Sequence, residues 1–130
     1  MLTDKQKLEL LSQETGLDQS EIDLEDWVFM SDSEAEAACL EYISENLWAF
    51  NPSFLANETG VDQSVFEAIQ ANGKCEDNNA AILSIIENTS KGVDTIASSA
   101  MAIDGRGHFI SFYDGKEIEL TPDLFAYRIN

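Results

Sequence analysis

Apolar residues recur at helical spacing through the first two thirds of the chain. The clearest run is "SDSEAEAACLEYISENLWAF", where Ser31 and Glu34 form a capping-box pattern. Asn51-Pro52 ends this helix and starts the next one, since proline is tolerated at the first helical position. Similar runs on either side bring the prediction to six or seven short helices. The apolar face of the clearest run consists of Ala35, Ala38, Cys39, Tyr42, Ile43 and Phe50.

The period of the apolar pattern changes after about residue 105. The segments "GHFISFY", "KEIEL" and "FAYRIN" are short, aromatic and β-branched, which predicts strands. Asp114-Gly115 separates the first two and is a strong two-residue hairpin signal. The segment "LDQSEIDLEDWVFM" predicts a weak, irregular helix. The expected fold is therefore α+β, mostly helical, with a small C-terminal antiparallel sheet of two to three strands in a single domain, 1–130.

One stretch occurs twice. Residues 14–22 read "ETGLDQSEI" and residues 58–66 read "ETGVDQSVF", and Leu10-Leu11 correspond to Phe54-Leu55 at the same offset. This predicts a duplicated helical unit, 1–50 and 51–92, followed by a helix plus β-hairpin region over 93–130. The alternative is chance recurrence of a helix–glycine–helix junction.

The second copy is similar to the repressor-type helix-turn-helix domains. Its matching positions are Ala56 in the first helix, Gly60 at the turn, Asp62 to Ser64 at the start of the recognition helix, and Gly73 beyond it. A recognition helix needs Arg, Lys, Asn or Gln against base edges and phosphates. The helix here offers Asp62, Gln63, Ser64 and Glu67 and has no cation before residue 74. The resemblance implies a helix-turn-helix packing unit, and the sequence argues against direct nucleic-acid binding.

Charge is the strongest compositional signal. The chain has 25 Asp and Glu against 7 Lys and Arg, a formal net charge of −18. Between Lys7 and Lys74 there is no basic residue. Such a field repels nucleic acid and anionic membranes. Solubility, or a host whose proteins are all acidic, explains the same composition without a partner.

The sequence favours a cytoplasmic location. No apolar run approaches the roughly 18 residues that a membrane span needs. The N-terminal sequence lacks the basic start and apolar core of a signal peptide. Cys39 and Cys75 stand in helix-like segments without a motif, so we expect buried free thiols, with a disulfide as the alternative.

Candidate catalytic and metal-binding chemistry is sparse. The turn Asp104-Gly105-Arg106-Gly107-His108 holds the one histidine beside an arginine and an aspartate. We interpret it as a structural turn with His108 opening a strand, and a small enzyme using Asp104, Arg106 and His108 is the third alternative. One histidine and two scattered cysteines do not make a zinc site of the usual spacing. We predict no enzyme activity, no cofactor and no metal site.

A second resemblance covers roughly residues 35–130. "AIDGRGHFISFYDGKEIEL" and "FAYRIN", with "ENLWAFNPSFLANETG", look like small acidic proteins of phages and mobile elements. These share an Asp-Gly-Arg-Gly-His-Phe turn, a Tyr-Asp-Gly turn and a terminal Tyr-Arg-Ile-Asn. The resemblance implies a phage or mobile-element origin and brings no activity with it.

These observations lead to one function hypothesis. Glu34, Glu41 and Glu45 fall within about 40° on one helix face, roughly 10 and 6 Å apart along the axis, as carboxylates that mimic DNA phosphates would. The protein would occupy the nucleic-acid-binding site of a basic host protein in the host cytoplasm, as an anti-defence inhibitor. The predicted partner-binding residues are Glu21, Asp23, Glu25, Asp26, Asp32, Glu34, Glu41 and Glu45.

The alternative function is a regulatory or assembly module derived from the helix-turn-helix. It would bind a protein, or itself as a homodimer, without binding DNA. Exposure of Trp27, Phe29, Trp48 or Phe50 would favour it.

Overall fold

The computed structural model describes residues 2–71, 76–89 and 91–130. These fall into two compact units. We call Met1–Cys39 together with Asp104–Asn130 the sheet unit, and Leu40–Ile103 the helical unit.

Within the described residues there are seven α-helices and three strands. Short 3₁₀ turns lie at Gln19–Glu21, Leu24–Asp26, Leu47–Ala49 and Glu76–Asn78. The helices are α1 (Asp4–Thr15), α2 (Asp32–Glu45), α3 (Pro52–Thr59), α4 (Gln63–Ala71), α5 (Asn79–Glu87), α6 (Val93–Asp104) and α7 (Arg106–Ile110). The strands are β1 (Trp27–Met30), β2 (Ile118–Thr121) and β3 (Leu124–Arg128).

The sheet unit contains a three-stranded antiparallel sheet in the order β1-β3-β2. Strand β3 is central: Trp27 faces Arg128 on one side, and Ile118 faces Ala126 on the other. A tight turn joins β2 to β3, with an irregular register near Thr121. The sheet therefore brings a segment near residue 30 beside the C-terminal strands.

The core of the sheet unit lies between α1 and the sheet. Leu11, Trp27, Leu120 and Ala126 form a buried cluster. Half-buried apolar residues pack around it, among them Ile22, which follows the first 3₁₀ turn, and Leu24, which begins the second. Burial of these side chains fixes the path of residues 17–30 even though that segment has little regular structure.

An apolar core stabilises the helical unit, and two polar side chains donate hydrogen bonds to backbone carbonyls of one loop. Leu55, Phe66, Ile82 and Ile86 are fully buried. The Gln70 amide donates to the carbonyl oxygen of Phe50 at 2.8 Å, and the Asn79 amide donates to that of Ser44 at 2.8 Å. These bonds give the backbone around the Leu47–Ala49 turn its internal partners.

The α+β, mostly helical prediction is confirmed, as are several helix ends. Ser31 and Glu34 form the expected capping box, with the Ser31 N–H donating to Glu34 Oε1 at 2.9 Å and the Glu34 N–H donating to Ser31 Oγ at 3.2 Å. Asn51 caps α3, which begins at Pro52. Cys39 is a buried free thiol, as expected. Gly73 and Cys75 lie outside the described residues, and the single-domain prediction stays a prediction.

Two element predictions were wrong. Residues 17–30 form 3₁₀ turns and a strand instead of a weak helix, because Trp27 to Met30 pair with β3 and that pairing overrides local propensity. The predicted strand "GHFISFY" is the helix α7 and a turn, so His108 does not open a strand. Gly115 has a positive φ of 72° and closes a turn back to Ser111, while the hairpin joins β2 to β3.

The repeated sequence corresponds to a repeated helix ending. Gly16 after α1 and Gly60 after α3 both have φ 75° and ψ 3°. Before each glycine, a threonine hydroxyl donates to the carbonyl four residues back: Thr15 to Leu11 at 2.6 Å and Thr59 to Leu55 at 2.7 Å. The copies then diverge, because the first continues as a 3₁₀ turn and the second as α4.

Among the described residues, no helix has the length and apolar character required to cross a membrane.

Candidate functional site

The predicted acidic residues of the sheet unit lie mainly on one short stretch, Asp18–Asp26, which we call the acidic segment. Exposed and inward positions alternate along it: Glu21, Asp23 and Glu25 are exposed, while Ile22 and Leu24 pack on the core. The apolar side chains anchor the backbone and direct the carboxylates away from the core.

The local backbone of the acidic segment sets the spacing of these carboxylates. Ile22 and Asp23 are extended, with φ −97° and −104°. A two-residue step rises roughly 6–7 Å in extended chain and roughly 4 Å in a 3₁₀ turn. Duplex DNA carries a phosphate every 3.4 Å of axis on each strand. The backbone rise between alternate residues of the acidic segment is therefore comparable to one or two phosphate steps.

The second group of predicted acidic residues lies on α2. Ala35, Cys39 and Ile43 are its fully buried positions. Glu34, Glu41 and Glu45 are exposed on the opposite side of the helix, as a 100° turn per residue requires. The expected acidic face of this helix is thus present.

The eight predicted residues divide by their hydrogen bonds. Asp23 accepts from the Glu25 N–H at 3.0 Å, and Asp26 Oδ1 accepts from the Asn130 amide at 3.3 Å. Glu34 belongs to the capping box, and its pKa is lowered by the bond from the Ser31 backbone and then by the Ser31 hydroxyl. Asp32 is ion-paired. The four predicted carboxylates without a described side-chain partner are those of Glu21, Glu25, Glu41 and Glu45.

Cations neutralise few of these charges. Within residues 2–71, 76–89 and 91–130, both ion pairs involve Arg106. Two other cations face aromatic rings: Lys7 Nζ lies 4.6 Å from the centre of the Phe29 ring, and the Arg128 guanidinium lies 3.9 Å from that of Tyr113. The exposed carboxylates are left largely without counter-charges from the protein.

Arg106 is the centre of a polar network in the sheet unit. Its guanidinium donates two parallel bonds to Glu117, at 2.8 and 3.0 Å, and a third to Asp32 Oδ1 at 2.9 Å. It also lies 4.7 Å from the centre of the Phe125 ring. The Tyr127 hydroxyl donates to Glu117 Oε2 at 2.6 Å. One arginine therefore joins α7, α2 and the segment preceding β2.

The network shifts the pKa values of its members. Burial alone would raise the pKa of Glu117, but bonds from Arg106 and Tyr127 outweigh burial and lower it. Burial, followed by the bond to Glu117, raises the pKa of Tyr127 well above its ordinary value. The paired carboxylate raises the pKa of Arg106. The network holds Glu117 and Arg106 charged and Tyr127 neutral.

The turn Asp104-Gly105-Arg106-Gly107-His108 is where Arg106 enters this network. An added Cβ at Gly107 would stand 2.5 Å from the carbonyl oxygen of Gly115 and 2.6 Å from the carbonyl carbon of Lys116. His108 is exposed, with its ring edge-on to Phe109. The described residues contain no cluster of His, Cys, Asp and Glu that could hold a metal ion. The contacts of this turn are those of a structural junction.

No protein-family model, no curated protein and no solved structure matches this chain.

Sequence reasoning missed the polar network around Arg106. Glu117 and Tyr127 stand 11 and 21 positions further along the chain, and no local pattern links them to Arg106. It also missed the exposure of Phe112 and Tyr113, because the expected strand would have buried one of them. The glycines on either side of Arg106 were the available signal, since Gly107 permits the close approach of the 115–117 backbone.

Proposed function

We propose that the protein is an acidic inhibitor of phage type that occupies the nucleic-acid-binding site of a basic host protein. The observation that carries the proposal is the row of exposed carboxylates at alternate positions of the acidic segment, Glu21, Asp23 and Glu25. The cytoplasm of the host cell is the compartment that such a target implies.

The charge distribution supports a cationic partner. A net charge of −18 destabilises a compact chain through self-repulsion. Surface ion pairs could reduce that cost, yet Asp32 and Glu117 are the two described carboxylates within 4 Å of a cation. A partner surface rich in Lys and Arg would supply the missing counter-charges and speed association by electrostatic steering.

The helix-turn-helix element argues for mimicry rather than DNA binding. The face at the start of α4 carries Asp62, Gln63, Ser64 and Glu67, all exposed. Gln63 is the one side chain of this face that could pair with adenine. Its amide group instead donates a hydrogen bond to Glu67 at 2.7 Å. A carboxylate near 4 Å from a phosphate is repelled by roughly 1 kcal/mol even in water.

A displacement assay tests the proposal. A fluorescent DNA duplex is bound in turn to purified bacterial DNA-binding enzymes: a restriction endonuclease, a nuclease effector and an RNA polymerase. Fluorescence anisotropy then reports duplex release when the protein is added. We expect at least one enzyme to release its duplex at a near-stoichiometric amount of protein, with a midpoint that rises steeply with salt.

Charge reversal provides the matched control. The test variant replaces Glu21, Glu25, Glu41 and Glu45 with Lys. The control replaces Glu9, Asp77, Glu87 and Glu119 with Lys, which gives the same net charge from exposed positions outside the predicted set. We expect the test variant to lose displacement and the control to retain most of it. Retention of every duplex by its enzyme, or equal loss in both variants, would overturn the proposal.

Exposure of any one of four aromatic residues would have favoured the interaction-module alternative. Trp27 is buried, and Phe29, Trp48 and Phe50 are half-buried. Self-association would also bring two strongly negative chains together. These observations favour the inhibitor over a homodimer.

A further inference from the structure

The most exposed aromatic residues of the sheet unit are neighbours in one turn. Phe112 is 69% exposed and Tyr113 is 56% exposed, directly after Ser111, which is 3% exposed. Ile129, 38% exposed, follows Arg128, whose guanidinium covers the Tyr113 ring at 3.9 Å. We call Phe112, Tyr113, Arg128 and Ile129 the aromatic patch.

The aromatic patch is held in place by its backbone. The Ser111 hydroxyl donates to the carbonyl oxygen of Arg128 at 2.6 Å, and the Ser111 N–H donates to that of Gly107 at 2.8 Å. The Gly115 N–H donates to the carbonyl oxygen of Ser111 at 3.1 Å. Because the turn is fixed at both ends, its backbone has little conformational entropy left to lose on binding.

The composition of the patch is that of a binding hot spot. Tyrosine and arginine are enriched at the energetic centres of protein interfaces, and exposed apolar side chains next to each other mark interaction surfaces. The Arg128 guanidinium lies over the Tyr113 ring at 3.9 Å from its centre and is also 5.9 Å from the centre of the Trp27 ring. Its contacts therefore fix the Tyr113 ring.

The patch is continuous with the acidic segment. The Ile129 N–H donates to the Asp26 carbonyl at 2.8 Å, and the Asn130 amide donates to Asp26 Oδ1 at 3.3 Å. A partner that covers the acidic segment thus meets the aromatic patch at its end. The charge of −18 disfavours a second copy of this chain as the occupant.

We propose that the aromatic patch anchors the inhibitor in an apolar pocket bordered by Lys and Arg on the nucleic-acid-binding protein that it blocks. This inference rests on the proposed function. The carboxylates attract the partner and set its position. Phe112 and Tyr113 bury apolar surface against the partner, and the free energy of that contact does not fall with ionic strength. The anchored complex dissociates more slowly than charge alone would allow.

Site-specific photo-crosslinking identifies the occupant. Phe112 is replaced by p-benzoylphenylalanine in the full chain, which is irradiated in a bacterial lysate, and the adducts are sequenced by mass spectrometry. The same replacement at Ile103, which is 67% exposed and lies outside the patch, is the control. We expect a basic nucleic-acid-binding protein to be crosslinked from position 112 and much less from position 103. An adduct with a second copy of this chain, an adduct with a protein that binds no nucleic acid, or no adduct would overturn the proposal.

Affinity measurements on the purified partner then separate the anchor from the charges. We expect Phe112→Ser to raise Kd at least tenfold and to leave its salt dependence unchanged, while Ile103→Ser stays within twofold. The four-site Glu→Lys variant should instead reduce the salt dependence. If Phe112→Ser binds within twofold of the parent and the Glu→Lys variant does not bind, the anchor fails and the proposed function stands. If the captured protein binds with its nucleic acid still in place, the proposed function fails.

Discussion

At the scale of single residues, Gly107 and Arg106 determine how the turn before α7 packs. The Gly107 Cα faces the backbone of residues 115–117, and its missing side chain lets that backbone approach. The Arg106 guanidinium then donates two hydrogen bonds to the Glu117 carboxylate. The close approach and the ion pair depend on each other, since both involve residues 115–117.

Adding one methyl group at Gly107 should be costly. In Gly107→Ala the new Cβ would meet rigid backbone at 2.5 Å, and overpacking of this kind costs about 1–3 kcal/mol. Urea unfolding monitored by circular dichroism measures the loss. Gly92→Ala is the control, because its Cβ meets nothing within 4 Å, and we expect it to lose less than about 1 kcal/mol. Equal losses in the two variants would contradict the clash.

Glu117 should make stability depend on acidic pH. Its folded pKa lies below the ordinary 4.5, since the bonds from Arg106 and Tyr127 outweigh burial. A lowered carboxyl pKa gives stability that is complete above pH 4.5 and is lost as the pH falls through the folded value.

A comparison with Glu117→Gln isolates this contribution. We expect the stability difference between the parent and the variant, measured by urea unfolding from about pH 7 to pH 3, to shrink below pH 4.5. Glu119→Gln, the same substitution at an exposed neighbour outside the network, is the control for the change of residue type. A difference that stays constant to the lowest pH would show that Glu117 is not preferentially ionised in the folded state.

At the scale of elements, the repeated sequence specifies how two helices end. Leu11 and Leu55 are buried, Thr15 and Thr59 satisfy their carbonyls, and Gly16 and Gly60 take the left-handed conformation. In both copies the same threonine oxygen accepts the N–H two residues ahead, from Leu17 at 3.2 Å and from Val61 at 3.1 Å. The repetition is thus a property of helix termination.

Removing the threonine hydroxyl should weaken both ends alike. Thr15→Val and Thr59→Val each lose a donated and an accepted bond at nearly constant volume, and each should cost about 1 kcal/mol. Thr15→Ser and Thr59→Ser keep the hydroxyl and should lose less. Chemical denaturation of the four variants measures this. If one valine variant is neutral, the two sites do not perform the same structural role.

Helix ends were predictable from sequence because their signals are local. Ser31 with Glu34, Asn51 with Pro52, and Gly16 and Gly60 all act within four residues. The strand β1 was not predictable in this way. Its pairing of Trp27 with Arg128 spans almost the whole chain, and nothing near Trp27 specifies it. The acidic segment was identified by charge, whereas its alternation of exposed and inward positions required the tertiary core.

At the scale of the whole molecule, charge is the dominant physical property. Both described ion pairs are on Arg106, and the remaining exposed carboxylates repel one another through solvent. The range of that repulsion is set by salt, with a Debye length of about 30 Å at 0.01 M and about 10 Å at 0.1 M. Stability is therefore expected to follow ionic strength.

Raising the salt concentration should stabilise the free protein. We expect Tm to increase between 0.01 and 0.1 M KCl, by about 4 °C for each kcal/mol of relieved repulsion. Differential scanning calorimetry measures it. The variant with Lys at Glu21, Glu25, Glu41 and Glu45 carries less net charge and should respond less. A Tm that is flat or falls with salt would show that the carboxylates are too far apart to repel one another significantly.

The strand order β1-β3-β2 has a consequence for synthesis on the ribosome. Residues 27–30 are made early, but their partner, residues 124–128, is made almost a hundred positions later. At about 5–20 residues per second this is a delay of roughly 5–20 s. During that interval the nascent apolar segment "WVFM" has no sheet to join. The emerging chain therefore exposes this apolar segment to solvent and to other chains until β3 is available to pair with it.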